Sequence, residues 1–246
     1  MIQLNLTRPI AFFDLETTGL EFVKNVGVEL YGKNQLELWH TIIEIGWVTV
    51  RQRNDENYTD WLVLQRMNLQ ISPNEQQLHR ASKEALAVNG YLERKEAGEW
   101  KNALKLRDAL WWFISNCGGS VLININPCFD DKFLEISLAQ AHIPYKEFQR
   151  RFHYRILDVN SIAVGKLLAP GSPYKTNLFG GNALSKLLGI KPETEPHMAV
   201  RGAEQAYRIY RRLMELKPRE VSAIRRRMLR AVTPRDGSQS PRVPRV

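Results

Sequence analysis

The sequence predicts an α/β domain built on a mixed five-stranded sheet, with three antiparallel strands followed by two parallel ones, flanked by helices. Three observations carry the prediction. Apolar runs of strand length crowd the first 65 residues with only loops between them. From Pro73 onward, helical and strand periods alternate. The chain has 246 residues, 43% hydrophobic and 25% charged, which describes a globular protein with room for a sizeable core rather than a fibrous or disordered chain.

Ile10 to Leu15 (IAFFDL), bounded by Pro9 and the Thr17-Thr18-Gly19 turn, reads as a buried first strand. Thr41 to Val50 (TIIEIGWVTV) is the second and Trp61 to Gln65 the third. Strands joined by loops alone pair antiparallel, because a parallel pair needs a crossover. Between residues 21 and 40, Val26, Val28 and Leu30, then Leu36 and Leu38, alternate on either side of Gly32-Lys33-Asn34, which predicts an extension of the hairpin. After Pro73, Leu78, Ala81, Ala85 and Leu86, then Leu104, Leu106, Leu110, Phe113 and Ile114, predict two helices, the second closing near Cys117-Gly118-Gly119. Trp111 and Trp112 are adjacent on that second helix, so one of them faces outward. Val121 to Ile125 is the fourth strand, Asp130 to Ala141 a helix, and Arg155 to Val159 a fifth strand feeding a helix that stops before Pro170. Helices at Asn182 to Leu188 and Ala199 to Leu216 close a body spanning residues 1–216.

The net charge of +9 is concentrated at the end of the chain. Residues 211–246 carry 11 Lys and Arg against 3 Asp and Glu, a net +8, which leaves the rest nearly neutral at +1. Residues 217–246 are expected to form a basic appendage. Val221, Ile224, Met228 and Val232 share one helical face with arginines around it, and the proline-containing stretch beyond Thr233 is expected to be disordered. Arg225, Arg226, Arg227 and Arg230 are the candidate contacts to an acidic partner such as nucleic acid. Removing residues 217–246 is expected to weaken nucleic-acid affinity and flatten its salt dependence; a solvated extension without a specific role is the plain alternative.

No window approaches about 18 uninterrupted apolar residues, so no membrane-spanning helix and no membrane partner are expected. Met1 to Pro9 lacks the pattern of an export signal, and a cytoplasmic location is the expectation. Cys117 and Cys128 are too few for a disulfide scaffold or a cysteine-based zinc site. Cys128 is expected to be a small buried hydrophobe.

The chemistry concentrates in three places. In FFDLETTGL, Asp14 and Glu16 lie two residues apart on a strand, so their carboxylates share one face at its C-terminal end. Two like charges held together are costly unless a cation neutralises them; two solvated acids at a strand end are the alternative. Asp130 stands where the fourth strand gives way to a helix, a place where an acid also simply favours the helix dipole. Strands one and four would be neighbours where pairing changes from antiparallel to parallel, the position at which α/β sheets bind ligands. His197 follows Pro196 ahead of the last body helix, and a lone histidine there is also compatible with a surface or packing role.

Taken together these segments resemble the DEDDh 3′-to-5′ exonucleases of the RNase H-like fold, a group that includes the proofreading subunit of bacterial DNA polymerase III and RNase T. FFDLETTGL is similar to the family's first motif, with IIEIGWVTV where the second strand follows. ISPNEQQLHRASKEAL resembles its segment ending in His-Gly-Ile, with Arg80 in place of glycine. NPCFDDKFL is similar to its second motif, and His197-Met198-Ala199 to its third. The resemblance covers about residues 8–216. It implies that Asp14, Glu16 and Asp130 hold two Mg²⁺ or Mn²⁺ ions and that His197 is the catalytic base. It also implies that Thr17, Thr18, Leu20, His79, Asn126 and Phe129 border the pocket for the 3′-terminal nucleotide, although Phe129 is equally placed to be core. The implied partners are 3′ ends of single-stranded DNA or RNA, with DNA favoured, together with a polymerase or other protein engaged through the basic tail in proofreading or repair.

The third motif departs from the family pattern. Where H-x-A-x-x-D is expected, the chain ends the motif in Gly202, so the fourth metal-binding acid is missing. Glu204 is rotated about 200° from that position on a helix. Glu193 and Glu195 are near in sequence, but nothing in the spacing requires either to reach the site. Two readings follow: a metal-dependent 3′-to-5′ exonuclease altered by Gly202, or a catalytically silent nucleic-acid- or partner-binding module. Gly202→Asp is the substitution that restores the pattern.

Overall fold

The computed structural model describes residues 8–21, 40–55, 58–152, 156–168 and 179–232. The alternating stretch between residues 21 and 40 and the tail beyond Val232 lie outside them. Strand β1 (Ile10–Thr17) pairs antiparallel with β2 (Ile42–Asp55), and β2 pairs antiparallel with β3 (Tyr58–Gln70). On its other edge β1 pairs parallel with β4 (Val121–Asn124), which in turn pairs parallel with β5 (Ile156–Asp158). The sheet order is β3-β2-β1-β4-β5, so the predicted change of pairing sense falls between β2 and β4, at β1. The third strand runs past Trp61 to Gln65 at both ends because its pairing with β2 continues through mostly polar residues, and as an edge strand it leaves Leu62 and Leu64 exposed.

Side-chain alternation along β1 divides the core between two faces. Phe12, with Val48 and Ile123, packs under helices α7 (Val159–Leu167), α8 (Gly181–Leu188) and α9 (Ala199–Glu215), against Ala203, Ala206, Tyr207 and Tyr210. Phe13, with Leu15, Ile45 and Trp47, packs on the opposite face against α4 (Leu106–Cys117) and α5 (Pro127–Gln140). The result is three layers with the sheet in the middle.

The chain from Pro73 to Gly118 is more broken than the apolar period indicates. It holds α1 (Glu75–His79), α2 (Lys83–Val88), α3 (Tyr91–Glu96), a 3-10 turn at Glu99–Asn102, and then α4. Gly90 at φ 61° and Gly98 at φ 89° stop the helices at their borders, in a backbone region that favours glycine. Asn74 and Ser82 cap α1 and α2 with their side chains. Helix α6 (Tyr145–Arg151) is absent from the sequence reading because its seven residues bury only Phe148, too little for a periodic signal.

Helix α9 comes unusually close to the sheet. A Cβ on Gly46 of β2 would lie 2.0 Å from the backbone nitrogen of Val200, so only glycine permits this approach. Helix α10 (Pro218–Val232) forms as expected, and its apolar face is not free: Ile224 and Met228 are buried in the core that α9 covers. The basic segment is therefore not set apart from the body by a break in packing. Among the described residues no helix is long and apolar enough to cross a membrane. Trp112 is 50% exposed while Trp111 packs inward, as their adjacency requires. Cys128 is exposed rather than buried, because in the first turn of α5 it borders an open groove beside Leu122, Tyr145 and Ile156, whereas Cys117 is enclosed.

Candidate active site

Asp14 and Glu16 occupy the last turn-side positions of β1, on the face that carries Phe12 and faces α9. Asp14 lies directly under the helix: a Cβ on Gly202 would fall 2.0 Å from its Oδ2 and 2.6 Å from its Cγ. Beside β1, strand β4 leads through Asn126 into α5. Asn126 adopts φ 61°, a left-handed conformation that asparagine tolerates, and Pro127 at the first helical position starts α5 with a preset φ. Asp130, in that first turn, is 3% exposed, and its Oδ1 has no hydrogen-bond partner among the described residues.

His197 is delivered by the loop ahead of α9. Its N–H donates to Val88 O at 3.0 Å and its carbonyl accepts from Arg94 Nη1 at 3.5 Å. Arg94 is itself buried, and its Nη2 donates to Glu44 Oε1 at 2.5 Å. The other oxygen of the fully buried Glu44 accepts the Ala199 N–H at 3.3 Å, so an anion from β2 sits at the N-terminus of α9. Glu193 Oε1 accepts the Met198 N–H at 3.3 Å. One ligand atom from each of Glu16, Glu193 and His197 lies within 4.8 Å of the others.

Burial and mutual repulsion dominate the electrostatics. Burial pushes the Glu16 carboxyl up to about 8, helped by the charges of Glu193, Glu44 and Asp130 and opposed by Arg94. Asp130 is likewise pushed by burial to about 8, with Asn124 alongside working in the opposite direction. Asp14 is raised well above the ordinary carboxylate range by burial, then by Asp130, Glu16 and Glu193. Glu193 is raised by burial and held back by His197. Such a cluster retains protons near neutrality unless a cation compensates the charge. Clustered carboxylate oxygens, one of them buried without a partner among the described residues, are the donor set that a hard divalent ion requires, so the residues present fit the metal that the motif implies.

The remaining expected contacts divide into two groups. Leu20 is 73% exposed after the turn that ends β1, His79 is exposed at the end of α1, Asn126 is exposed at the head of α5, and Phe129 is half-buried against Phe133 at 4.8 Å. Thr17 and Thr18 are buried, and their hydroxyls serve the turn: Thr17 Oγ1 donates to Gly19 O at 2.7 Å and Thr18 Oγ1 accepts the Thr41 N–H at 2.9 Å. These two threonines follow Glu16 directly, and their hydroxyls are engaged in the turn. Glu204 points away, bonded to Arg66 at 2.9 Å and Arg208 at 2.8 Å. On α10, Arg226 and Arg227 are exposed, whereas Arg225 is turned inward to the Lys166, Leu167 and Leu168 carbonyls at the end of α7. The Arg230 side chain lies outside the described residues.

Sequence reasoning missed Glu44 and Arg94. The available signal was a lone acid inside the otherwise apolar IIEIGWVTV, which needs a buried partner; nothing in the spacing names Arg94, 50 residues on. His40 was also missed. Its Nδ1 accepts the Glu21 N–H at 2.9 Å and its Nε2 lies 3.1 Å from Arg80 O. The ring packs against Gly19, where a Cβ would come within 2.5 Å.

No family model matches the chain, and no curated protein matches it by sequence. Solved structures do match its shape. A 3′-exonuclease described as recognising the 3′ end of a histone mRNA stem-loop superposes with a TM-score of 0.57 at 14% identity, covering 84% of this chain and 64% of that one. Exonuclease I with bound product gives 0.58 at 14% identity, over 87% and 45%. The zinc-bound complex of E. coli exonuclease I with single-stranded DNA gives 0.59 at 14% identity, over 87% and 42%. The chain has the fold of the 3′-exonucleases. It spans between 42% and 64% of the length of these neighbours. Within this RNase H-like exonuclease fold, the acids and histidine described above stand at the C-terminal ends of β1 and β4 and at the start of α9.

Proposed function

We propose that the protein is a metal-dependent 3′-to-5′ exonuclease acting on the 3′ ends of single-stranded nucleic acid, DNA ahead of RNA. The observation that carries this reading is the convergence of Asp14, Glu16 and Asp130 with His197 at one end of the sheet, on elements far apart in the chain. The exonuclease fold of the structural neighbours supports it. Asp14, Glu16 and Asp130 would hold the divalent cation, which supplies charge neutralisation for phosphodiester displacement and acidifies water. His197 accepts the proton of the attacking water, and its backbone, fixed by Val88 and Arg94, keeps the ring near Glu16 and Glu193. The leaving group is the 3′ oxygen of the preceding nucleotide. Leu20 and the exposed side of Phe129 offer apolar surface for the terminal base.

The test is degradation of 5′-labelled single-stranded DNA and RNA with Mg²⁺ or Mn²⁺. Wild-type protein is expected to shorten the oligonucleotide stepwise from its 3′ end, and Asp14→Asn to lose this activity by at least about a hundredfold. Gly202→Asp is expected to lose activity too, because its Cβ overlaps Asp14. Wild-type protein that binds the oligonucleotide but leaves it intact would place the chain in the silent binding class, and an active Asp14→Asn would remove the proposed centre.

A further inference from the structure

The acid missing from position 202 leaves a specific question about how the centre is completed. A helix that carried a carboxylate at 202 would have to stand back from β1, yet here two glycines bring it in. Gly46 admits the backbone of Ala199 and Val200, and Gly202 admits Asp14, with Cβ distances of 2.0 Å at both points. Asp14 thus fills the space that a side chain at 202 would use.

Another carboxylate enters from a different element. Glu193 belongs to the loop between α8 and α9. Its N–H donates to Asn182 Oδ1 at 3.2 Å, and the same oxygen accepts from Gln205 Nε2 at 2.7 Å, so the loop is tied to both helices. One side-chain oxygen of Glu193 accepts the Met198 N–H, and the carboxylate meets Glu16 and His197 within 4.8 Å. An independent observation points to a ligand here: Asp130, whose charge acts on both Asp14 and Glu16, buries an oxygen without a partner among the described residues. A buried, unpaired carboxylate oxygen is costly in the absence of a cation or donor.

We propose that Glu193 replaces the missing acid and serves as the fourth carboxylate of the centre, next to Glu16. This rests on the reading of Asp14, Glu16 and Asp130 as a divalent-cation site. Glu195, two residues on, is exposed and takes no part.

Calorimetric titration of the full chain with Mn²⁺, without nucleic acid, separates the two claims. Glu193→Gln keeps the oxygen that accepts the Met198 N–H and removes only the charge, so the loop stays anchored. It is expected to bind Mn²⁺ at least about tenfold more weakly than wild type, while Glu195→Gln binds as wild type does. Glu193→Ala, with its thermal unfolding followed in EDTA, guards against a folding effect and is expected to show the same loss of affinity. Wild-type affinity in Glu193→Gln, with binding abolished in Asp14→Asn, overturns the role of Glu193 and leaves the centre standing. A wild-type protein that takes up no Mn²⁺ overturns the centre and the role of Glu193 with it.

Discussion

Asp14 shows how a single side chain can be specified by its neighbours on three elements. Its own strand brings Glu16 to the same face, α5 brings Asp130, and the bare backbone at Gly202 leaves room for it. The first two relations were legible in the D-x-E spacing and in the strand–helix junction at Asp130. The third was legible only as a departure from a motif, since a missing side chain does not state what fills its place. The same crowding predicts a pH dependence. Without metal, Glu16 and Asp130 titrate near about 8 in the folded chain, and Asp14 and Glu193 are also raised. The unfolded chain releases these protons in the ordinary carboxylate range, so stability is greatest below it and falls as pH rises toward about 8. Thermal unfolding in EDTA is expected to show Tm declining from about pH 5 to about pH 8. Mn²⁺ should raise Tm most at the upper end, because it binds the ionised carboxylates. A Tm in EDTA that climbs across this window would contradict the arrangement of charges.

Among the elements, β2 does more than pair with its neighbours. Gly46 lets α9 approach, and Glu44, opposite Glu16 in the ladder, receives both Arg94 from α3 and the first N–H of α9. Helices α2 and α3 thereby fix the loop that presents His197. Lengths of five and six residues explain why periodicity merges α1 and α2 into one helix: each is too short to establish its own apolar stripe. Arg94→Met would leave Glu44 buried and uncompensated, and the expected loss of stability in urea unfolding is about 3–5 kcal/mol. Adding Glu44→Gln in the same chain should recover a large part of that loss, because both charges are then gone. A loss below about 1 kcal/mol in the single variant would mean that the pair behaves as an exposed one.

At the scale of the whole molecule, charge and packing divide the chain differently. The basic excess begins near residue 211, but Ile224 and Met228 are core residues and Arg225 is bonded to the end of α7. Deleting residues 217–246 would therefore open the core as well as remove charge, and a loss of nucleic-acid affinity in that variant would have two causes. Arg226→Ala combined with Arg227→Ala is the cleaner test, since both side chains are exposed. If these arginines meet phosphates of a single strand, the slope of log affinity against log salt should fall by about 0.7 per contact removed. An unchanged slope would point instead to a protein partner for this face.

The sequence by itself determined the strands, their pairing sense, the ends of the sheet where chemistry is possible, and the acids and histidine that gather there. Those features depend on local periodicity and on residue types, which a linear pattern records. The tertiary structure decided how near α9 stands to β1, which acids face one another, and which basic residues are turned inward. Glu44 with Arg94, Gly202 with Asp14, and Glu193 with Glu16 are contacts between residues far apart in the chain, or in different loops and helices. Such contacts follow from the packing of whole elements on the sheet, where two glycines set the approach of a helix and so select the side chains that can share a site.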